Sequence, residues 1–198
     1  MASILSDLST YSLCDIAHMG YSFIITRLAY PGAKLVRRPI VIRQKRDFHY
    51  GPGLSTGRNC RIEIFGDGKI EMGERCQIGD NVHLVSSASL CIGDDCLFAS
   101  KVFVSDTSHG SYGQDGDSPD TAPAERPLVS DPVTIGDRVW LGENVTVLPG
   151  VSIGDGCIVG SGAVVCKSLP ANCVAVGAPA QPVKLFDSQA NAWIKINN

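Results

Sequence analysis

The apolar positions of this chain recur every six residues. Stepping by six from Ile135 reaches Leu141, Val147, Ile153, Val159 and Val165, all of them aliphatic. Ile, Leu and Val make up 48 of the 198 residues, so six in a row, in any register, would arise by chance roughly once in 1,000. The residues two before these are small or apolar as well: Val133, Val139, Val145, Val151, Cys157 and Ala163. Glycine follows the aliphatic at Gly136, Gly142, Gly154 and Gly160, and the tripeptide Ile-Gly-Asp starts at Ile78, Ile92, Ile135 and Ile153. The spacing continues upstream at Met72, Ile78 and Leu84. A two-residue insertion follows, and the register resumes at Ile92, Phe98 and Val104.

A period of six is not helical, and it contains strand alternation without being reducible to it. It predicts short strands, each followed by a turn, with three units closing a triangular coil of 18 residues. The aliphatic residue points inward and stacks on its counterpart one coil away, and the neighbouring glycine lets the backbone turn where a side chain would clash. One coil cannot bury its own interior, so several must stack. Cys76, Cys96 and Cys157 stand two before an inward aliphatic and are expected in the core.

Composition fits this picture. The 18 Val, 16 Ile and 21 Gly, with only 7% aromatic residues, suit stacked aliphatics and many turns. They do not suit a disordered chain or a Leu- and Ala-rich bundle. A net charge of −3 gives no reason to expect nucleic acid. One local exception is the cluster Lys34, Arg37, Arg38, Arg43, Lys45 and Arg46. It is expected on the outer face of the first coil, and it is a candidate contact with the phosphates of a lipid-linked glycan at a membrane. The eight cysteines form no C-x-x-C pair, and Asp7 and Asp15 stand where a secretory leader would be basic. Reduced thiols in a cytoplasmic protein are therefore expected. No apolar run is long enough to span a bilayer.

Three segments then carry a resemblance: Ile135-Gly136-Asp137-Arg138-Val139-Trp140-Leu141-Gly142-Glu143-Asn144-Val145, Pro149-Gly150-Val151-Ser152-Ile153-Gly154, and Val176-Gly177-Ala178-Pro179-Ala180. They resemble the hexapeptide-repeat acyltransferases, among them the sugar O-acetyltransferases and, most closely, those of O-antigen and capsule. The resemblance covers roughly residues 35 to 195 and is strongest from Ile92 to Pro179. It implies an all-β fold, a left-handed parallel β-helix. That handedness comes from the family, because crossovers between parallel strands are otherwise right-handed. The implied organisation is an N-terminal lead-in over 1–53, the β-helix over 54–183 and a C-terminal tail over 184–198. The resemblance also implies a homotrimer, which the reduced thiols would place in the cytoplasm and the basic cluster over 34–46 would bring to the inner face of the membrane. Acetyl-CoA would be the donor, no metal would be needed, and the acceptor would be a carbohydrate, free or lipid-linked.

The repeat breaks once on a large scale. After Val104 it resumes only at Val133 and Ile135, leaving an excursion over 105–132 that is polar and rich in turn residues. A connection of this length without structure of its own is functional or disordered in most compact domains. Its root reads Ser105-Asp106-Thr107-Ser108-His109-Gly110. The resemblance puts the catalytic histidine here, at His109. A sugar hydroxyl needs a base to attack a thioester, and a neutral imidazole is available near pH 7. Family members often read Asp-His-x-His-Gly; here Thr107 replaces the first His, so His109 is the one base in the motif.

Other positions carry over singly. Trp140 matches a Trp beside the active site, and Gly142 and Glu143 match the turn whose amide faces the thioester. Ser161 matches a small residue along the pantetheine arm, Cys166 and Lys167 a Thr-Lys pair near the nucleotide, and Lys184 a basic residue near its phosphates. Gln181 stands where a basic residue is common. Ser87, at the two-residue insertion, matches an acceptor-binding Asn, and Asp106 is a further acceptor candidate. His18, His49 and His83 are expected in structural or surface roles.

Rival readings are weaker. An N-acyltransferase acting on a nucleotide-linked amino sugar often carries a nucleotide-binding domain before the helix, and only about 50 residues precede the repeat here. A γ-type carbonic anhydrase needs three histidines, two of them close in sequence, and His83 and His109 have no such companion. A non-catalytic scaffold would release no thiol from acetyl-CoA in response to a glycan. Gly53-Leu54-Ser55-Thr56-Gly57 fits G-x-S-x-G but opens a hexad rather than a strand-to-helix elbow. Gly154-Asp155-Gly156 with Gly160 has the wrong spacing for a dinucleotide loop.

Overall fold

A computed structural model describes residues 11–196; Asp7 lies outside them. The hexads wind into a three-sided prism of parallel strands. The first sheet stacks Leu35–Val36, Ser55–Thr56, Gln77–Ile78, Leu97–Phe98, Trp140–Leu141, Ile158–Val159 and Cys173–Val176. The second stacks Ile40–Arg43, Cys60–Ile64, His83–Ser86, Phe103–Ser105, Thr146–Val147 and Val164–Val165. The third stacks Phe48–Tyr50, Lys69–Met72, Ser89–Ile92, Val133–Ile135 and Ser152–Ile153. Each strand bonds to those one coil away, as Leu141 does to Phe98 and Val159. The chain is thus mostly β, a β-helix built from hexapeptide repeats.

The step between coils is 18 residues only in the C-terminal part, as from Trp140 to Ile158. Leu35 to Ser55 takes 20, and Ser55 to Gln77 takes 22. The longer strands Cys60–Ile64 and Lys69–Met72 absorb the excess. The inward positions behave as the repeat predicts: Ile135, Leu141, Val147, Ile153, Val159 and Val165 are at most 2% exposed, and Cys76, Cys96 and Cys157 are buried with them.

The glycines beside the aliphatics have a different task from the one expected. Left-handed backbone at the corners is carried largely by other residues, including Asn59, Asn81, Lys101 and Asn144 at one edge and Arg75, Asp95, Arg138 and Asn172 at another. The glycines stand where an aspartate of the next coil passes. A Cβ on Gly136 would lie 2.2 Å from Asp155 Oδ1, and one on Gly93 would lie 2.3 Å from Asp137 Oδ1. Those carboxylates accept from the amide following each glycine: Arg58 N–H to Asp80 (2.7 Å), Glu74 to Asp94 (2.8 Å), Asp94 to Asp137 (2.9 Å) and Asp137 to Asp155 (3.0 Å). Ile-Gly-Asp is therefore a stacking unit: Ile fills the prism, Gly leaves room, and Asp ties its coil to the one before.

Both ends of the prism are closed. A helix over Leu13–Ala29, which the hexad pattern does not announce, is capped by the Ser12 side chain accepting from the Asp15 amide. It packs on the first coil, where Lys34, Arg37 and Arg38 flank the strand Leu35–Val36, Arg43 ends the strand Ile40–Arg43, and Lys45 and Arg46 lie on a 3-10 turn, Lys45–Asp47. At the other end Gln181–Asp187 folds back antiparallel on Cys173–Val176 and pairs with Ala192–Lys195. Those antiparallel strands end the parallel stack, whose open edge would otherwise invite further pairing.

Candidate active site

The excursion over 105–132 is an ordered hairpin. It leaves the edge between the second and third sheets, and its stalk pairs Thr107–His109 with Leu128–Ser130. Tyr112 Oη donates to the His109 carbonyl, and Arg126 reaches Tyr112 Oη at 3.1 Å and Thr121 O at 2.8 Å, which folds the tip over. Asp106, at the base of the stalk, is fully buried. Its carboxylate accepts from Ser86 Oγ (2.7 Å), Ser87 N (2.8 Å) and Ala88 N (3.0 Å). A carboxylate so enclosed meets no acceptor directly; it fixes the turn that carries Ser87. Ser87 Oγ in turn meets Ser130 Oγ at 2.5 Å across the stalk.

His109 is exposed at the outer end of this stalk. The hydrogen bond from Tyr112 goes to its carbonyl, and its imidazole has no hydrogen-bond partner among the described residues. It borders a cleft of about 330 Å³ walled by Phe65, His83, Val85, Phe103 and Leu128. His83, expected in a structural or surface role, thus shares a cleft with His109. Its Nε2 lies 2.8 Å from Glu63 Oε2, and its ring centroid lies 5.3 Å from that of Phe103. Burial acts to raise the Glu63 pKa, but the hydrogen bond to His83 and the charge of Arg61 outweigh it and hold the carboxyl below the usual range.

The opposite half of the expected site lies on the edge between the first and second sheets. Trp140 is 48% exposed on the outer face of the first sheet, between Leu97 and Ile158 of the flanking coils. Gly142 is buried, and its N–H donates to Val159 O at 2.8 Å. The amide of Glu143, by contrast, has no acceptor among the described residues, while its side chain pairs with Lys101 at 3.0 Å. The free donor at this turn is thus the Glu143 amide and not that of Gly142. Ser161 lies one coil further on, its amide 2.6 Å from where a Cβ on Gly142 would be. Lys184 is half-buried, opposite Val174. A groove of about 590 Å³ runs along this edge from Lys34 and Arg37, past Gly57, Gly79 and Ala99, to Glu143.

Cys166 and Lys167 are not with them. Both are exposed and follow Val164–Val165, on the same edge as His109. The ten candidates therefore fall into two sets. Ser87, Asp106, His109, Cys166 and Lys167 lie on one edge, and Trp140, Gly142, Glu143, Ser161 and Lys184 on or beside the other. Six residues of strand and turn separate neighbouring edges, on the order of 15–20 Å. No side chain spans that, so one chain does not bring His109 to the Glu143 amide. Among the described residues, no three His, Cys, Asp or Glu side chains are grouped to hold a metal ion.

Comparison with known proteins bears on this arrangement. The family model described as bacterial transferase hexapeptide (six repeats) matches residues 132–167. The Escherichia coli (strain K12) protein described as "Putative lipopolysaccharide biosynthesis O-acetyl transferase WbbJ" is 40% identical over 187 residues, covering 93% of this chain and 95% of that protein. Among solved structures, AntD, an N-acyltransferase from Bacillus cereus in complex with dTDP and 3-hydroxybutyryl-CoA, superposes with a TM-score of 0.69. It is 19% identical, over 83% of this chain and 89% of that one. The polySia-specific acetyltransferase NeuO gives 0.56 at 25% identity, over 70% and 66%. At these identities AntD speaks to the fold alone.

Proposed function

The chain belongs to the hexapeptide-repeat acyltransferase family, and from that premise we propose that it moves an acetyl group from acetyl-CoA to a sugar hydroxyl of a surface polysaccharide or its precursor. The observation that carries this reading is the pair of unspent groups: an imidazole open to solvent at His109 and a backbone donor free at Glu143. A hydroxyl acceptor is favoured because it is protonated at neutral pH and needs a base, whereas a neutral amine attacks unaided.

In the proposed reaction His109 takes the hydroxyl proton as the sugar oxygen bonds to the thioester carbon. The Glu143 N–H donates to the oxyanion that forms, a backbone contact that depends little on the side chain. The C–S bond then breaks, and the imidazolium returns its proton to the departing CoA sulfur. No acyl-enzyme is formed. Ser87, held by Asp106 and facing Ser130, is the proposed acceptor contact. Asp106 is a positioning residue that acts through that turn.

Two edges carrying half a site each support a homotrimer in which the His109 edge of one protomer faces the Glu143 edge of its neighbour. Cyclic closure builds three identical composite sites in this way. The same pairing brings Cys166 and Lys167 of one copy to Ser161, Trp140 and Lys184 of the next, as the donor-binding set. The narrow edge, with glycine where bulk would block it, fits a slender thioester arm. The acceptor is proposed to be lipid-linked, with the basic residues 34–46 toward its phosphates. An acceptor screen that follows free-thiol release tests the reading. His109→Ala should abolish glycan-dependent release while CoA still binds; near-normal transfer by that variant would overturn it.

A further inference from the structure

The helix Leu13–Ala29 has its polarity reversed. The side packed on the first coil holds Ser22 and Thr26, both buried. Their hydroxyls accept from Arg38 N (3.1 Å) and Val36 N (2.9 Å), the latter on the outermost strand of the first sheet. The side turned away is apolar. At 100° per residue Leu13, Ala17, Gly20, Ile24 and Leu28 fall in one stripe about 80° wide, flanked by Ile16, Phe23 and Tyr21. Leu13 is 84% exposed, Leu28 78% and Ile24 59%. Arg27, its guanidinium 4.8 Å from the Phe23 ring centroid, is the only charge on that half. A helix of a free globular domain shows the opposite pattern, and an apolar strip of this size marks a contact surface.

Charge identifies the occupant. From Arg27 to Arg46 the chain carries seven of its 17 Lys and Arg and none of its 20 Asp and Glu. Lys45 Nζ donates to Ala29 O at 2.7 Å, so this basic segment lies against the last turn of the helix. No helix among the described residues is long and apolar enough to cross a bilayer, which leaves contact in the plane of a surface. A two-fold contact with a second copy would set this cationic segment against itself, and the cyclic trimer proposed above is built from the edges of the prism; anionic lipid opposes the segment with negative charge.

We propose that Leu13–Ala29 docks in the interfacial plane of an anionic membrane, its apolar stripe among the acyl chains and the basic residues from Arg27 to Arg46 at the headgroup phosphates. The prism then stands on its N-terminal end. The groove that begins at Lys34 and Arg37 leads away from the membrane to Glu143, four coils or about 19 Å up. That an acceptor glycan anchored in the same membrane ascends this groove rests on the proposed function; the docking does not.

The test is co-sedimentation of the full chain with vesicles of phosphatidylethanolamine and phosphatidylglycerol, and separately of phosphatidylcholine. Binding to the anionic vesicles should exceed that to phosphatidylcholine about tenfold or more at low salt, and should weaken as salt rises. Ile24→Ser with Leu28→Ser should lower binding at least about tenfold while leaving the thermal melt and the light-scattering mass unchanged. Arg27→Glu with Lys34→Glu leaves five cations against two anions in the segment and should weaken the salt-sensitive part. Equal absence from both vesicle types would overturn the proposal. So would retained binding by the serine variant, or a fall in its oligomeric mass, which would assign the stripe to a second copy. No activity enters these readouts, so their failure leaves the acetyltransferase reading standing.

Discussion

At the scale of single residues the candidate site divides into side-chain and backbone chemistry, and the two respond differently to substitution. His109→Ala removes the proposed base and should lower acetyl transfer by about 10² to 10⁴, with CoA affinity retained in a binding titration. Glu143→Ala should change turnover less than about threefold, because the proposed donor is its N–H and its exposed bond to Lys101 contributes at most ~1 kcal/mol. The Glu63–His83 pair adds a pH effect. Hydrogen bonding and charge hold the Glu63 carboxyl below its ordinary value in the folded chain. Its contribution to stability is therefore complete above the ordinary glutamate range and fades as pH falls through the depressed value. Melting temperatures from pH 7 down to 3 should fall less steeply for Glu63→Gln than for the native chain; parallel curves would contradict the pairing. His109 was legible in the sequence because it stands at the one large break in the repeat. His83 was not, because Arg61 to His83 is a coil of 22 residues. A reading that steps by 18 from His83 lands on Phe65 and never lays it beside Glu63.

At the scale of the elements, the repeat made the inward positions legible at once and hid why its glycines are there. Corner glycines suggest unusual dihedrals, yet asparagine, aspartate, lysine and arginine adopt most of those, and the glycines leave space for the next coil's aspartate. A conformational role and a packing role predict different mutants. If the packing role holds, Gly136→Ala drives its Cβ to 2.2 Å from Asp155 Oδ1. Overpacking of this kind costs ~1–3 kcal/mol, or a Tm lower by roughly 2–12 °C in a chain of this size. Adding Asp155→Ala should recover part of the loss, since the oxygen is gone while Asp155 N still lies 2.8 Å from the new methyl. A double variant no more stable than the additive sum would refute the coupling. The helix Leu13–Ala29 escaped the pattern for a related reason: its apolar stripe faces outward, so it shares no periodicity with the core.

At the scale of the whole molecule, the three sheets decide which candidates can cooperate. Neither motif nor spacing shows on which edge a residue sits until the coils are registered. Cys166 and Lys167 illustrate this: they follow Ser161 by only a few residues, yet a full side of the prism intervenes. Two half-sites on separate edges make a strong prediction about mixed assemblies. His109→Ala disables one edge, and Ser161→Trp obstructs the other at an exposed position beside the Glu143 turn. Each variant alone should be inactive. A composite site needs an intact His109 edge from one protomer and an intact Glu143 edge from its neighbour, so a random equal mixture should return to about a quarter of the native level and the trimers that hold both variants to about a third. A site contained in one chain predicts no recovery, because every chain then carries one of the two lesions. Co-expressing differently tagged variants, isolating the doubly tagged species and measuring glycan-dependent thiol release separates these outcomes, and the mass of that species by light scattering counts the protomers that share the sites.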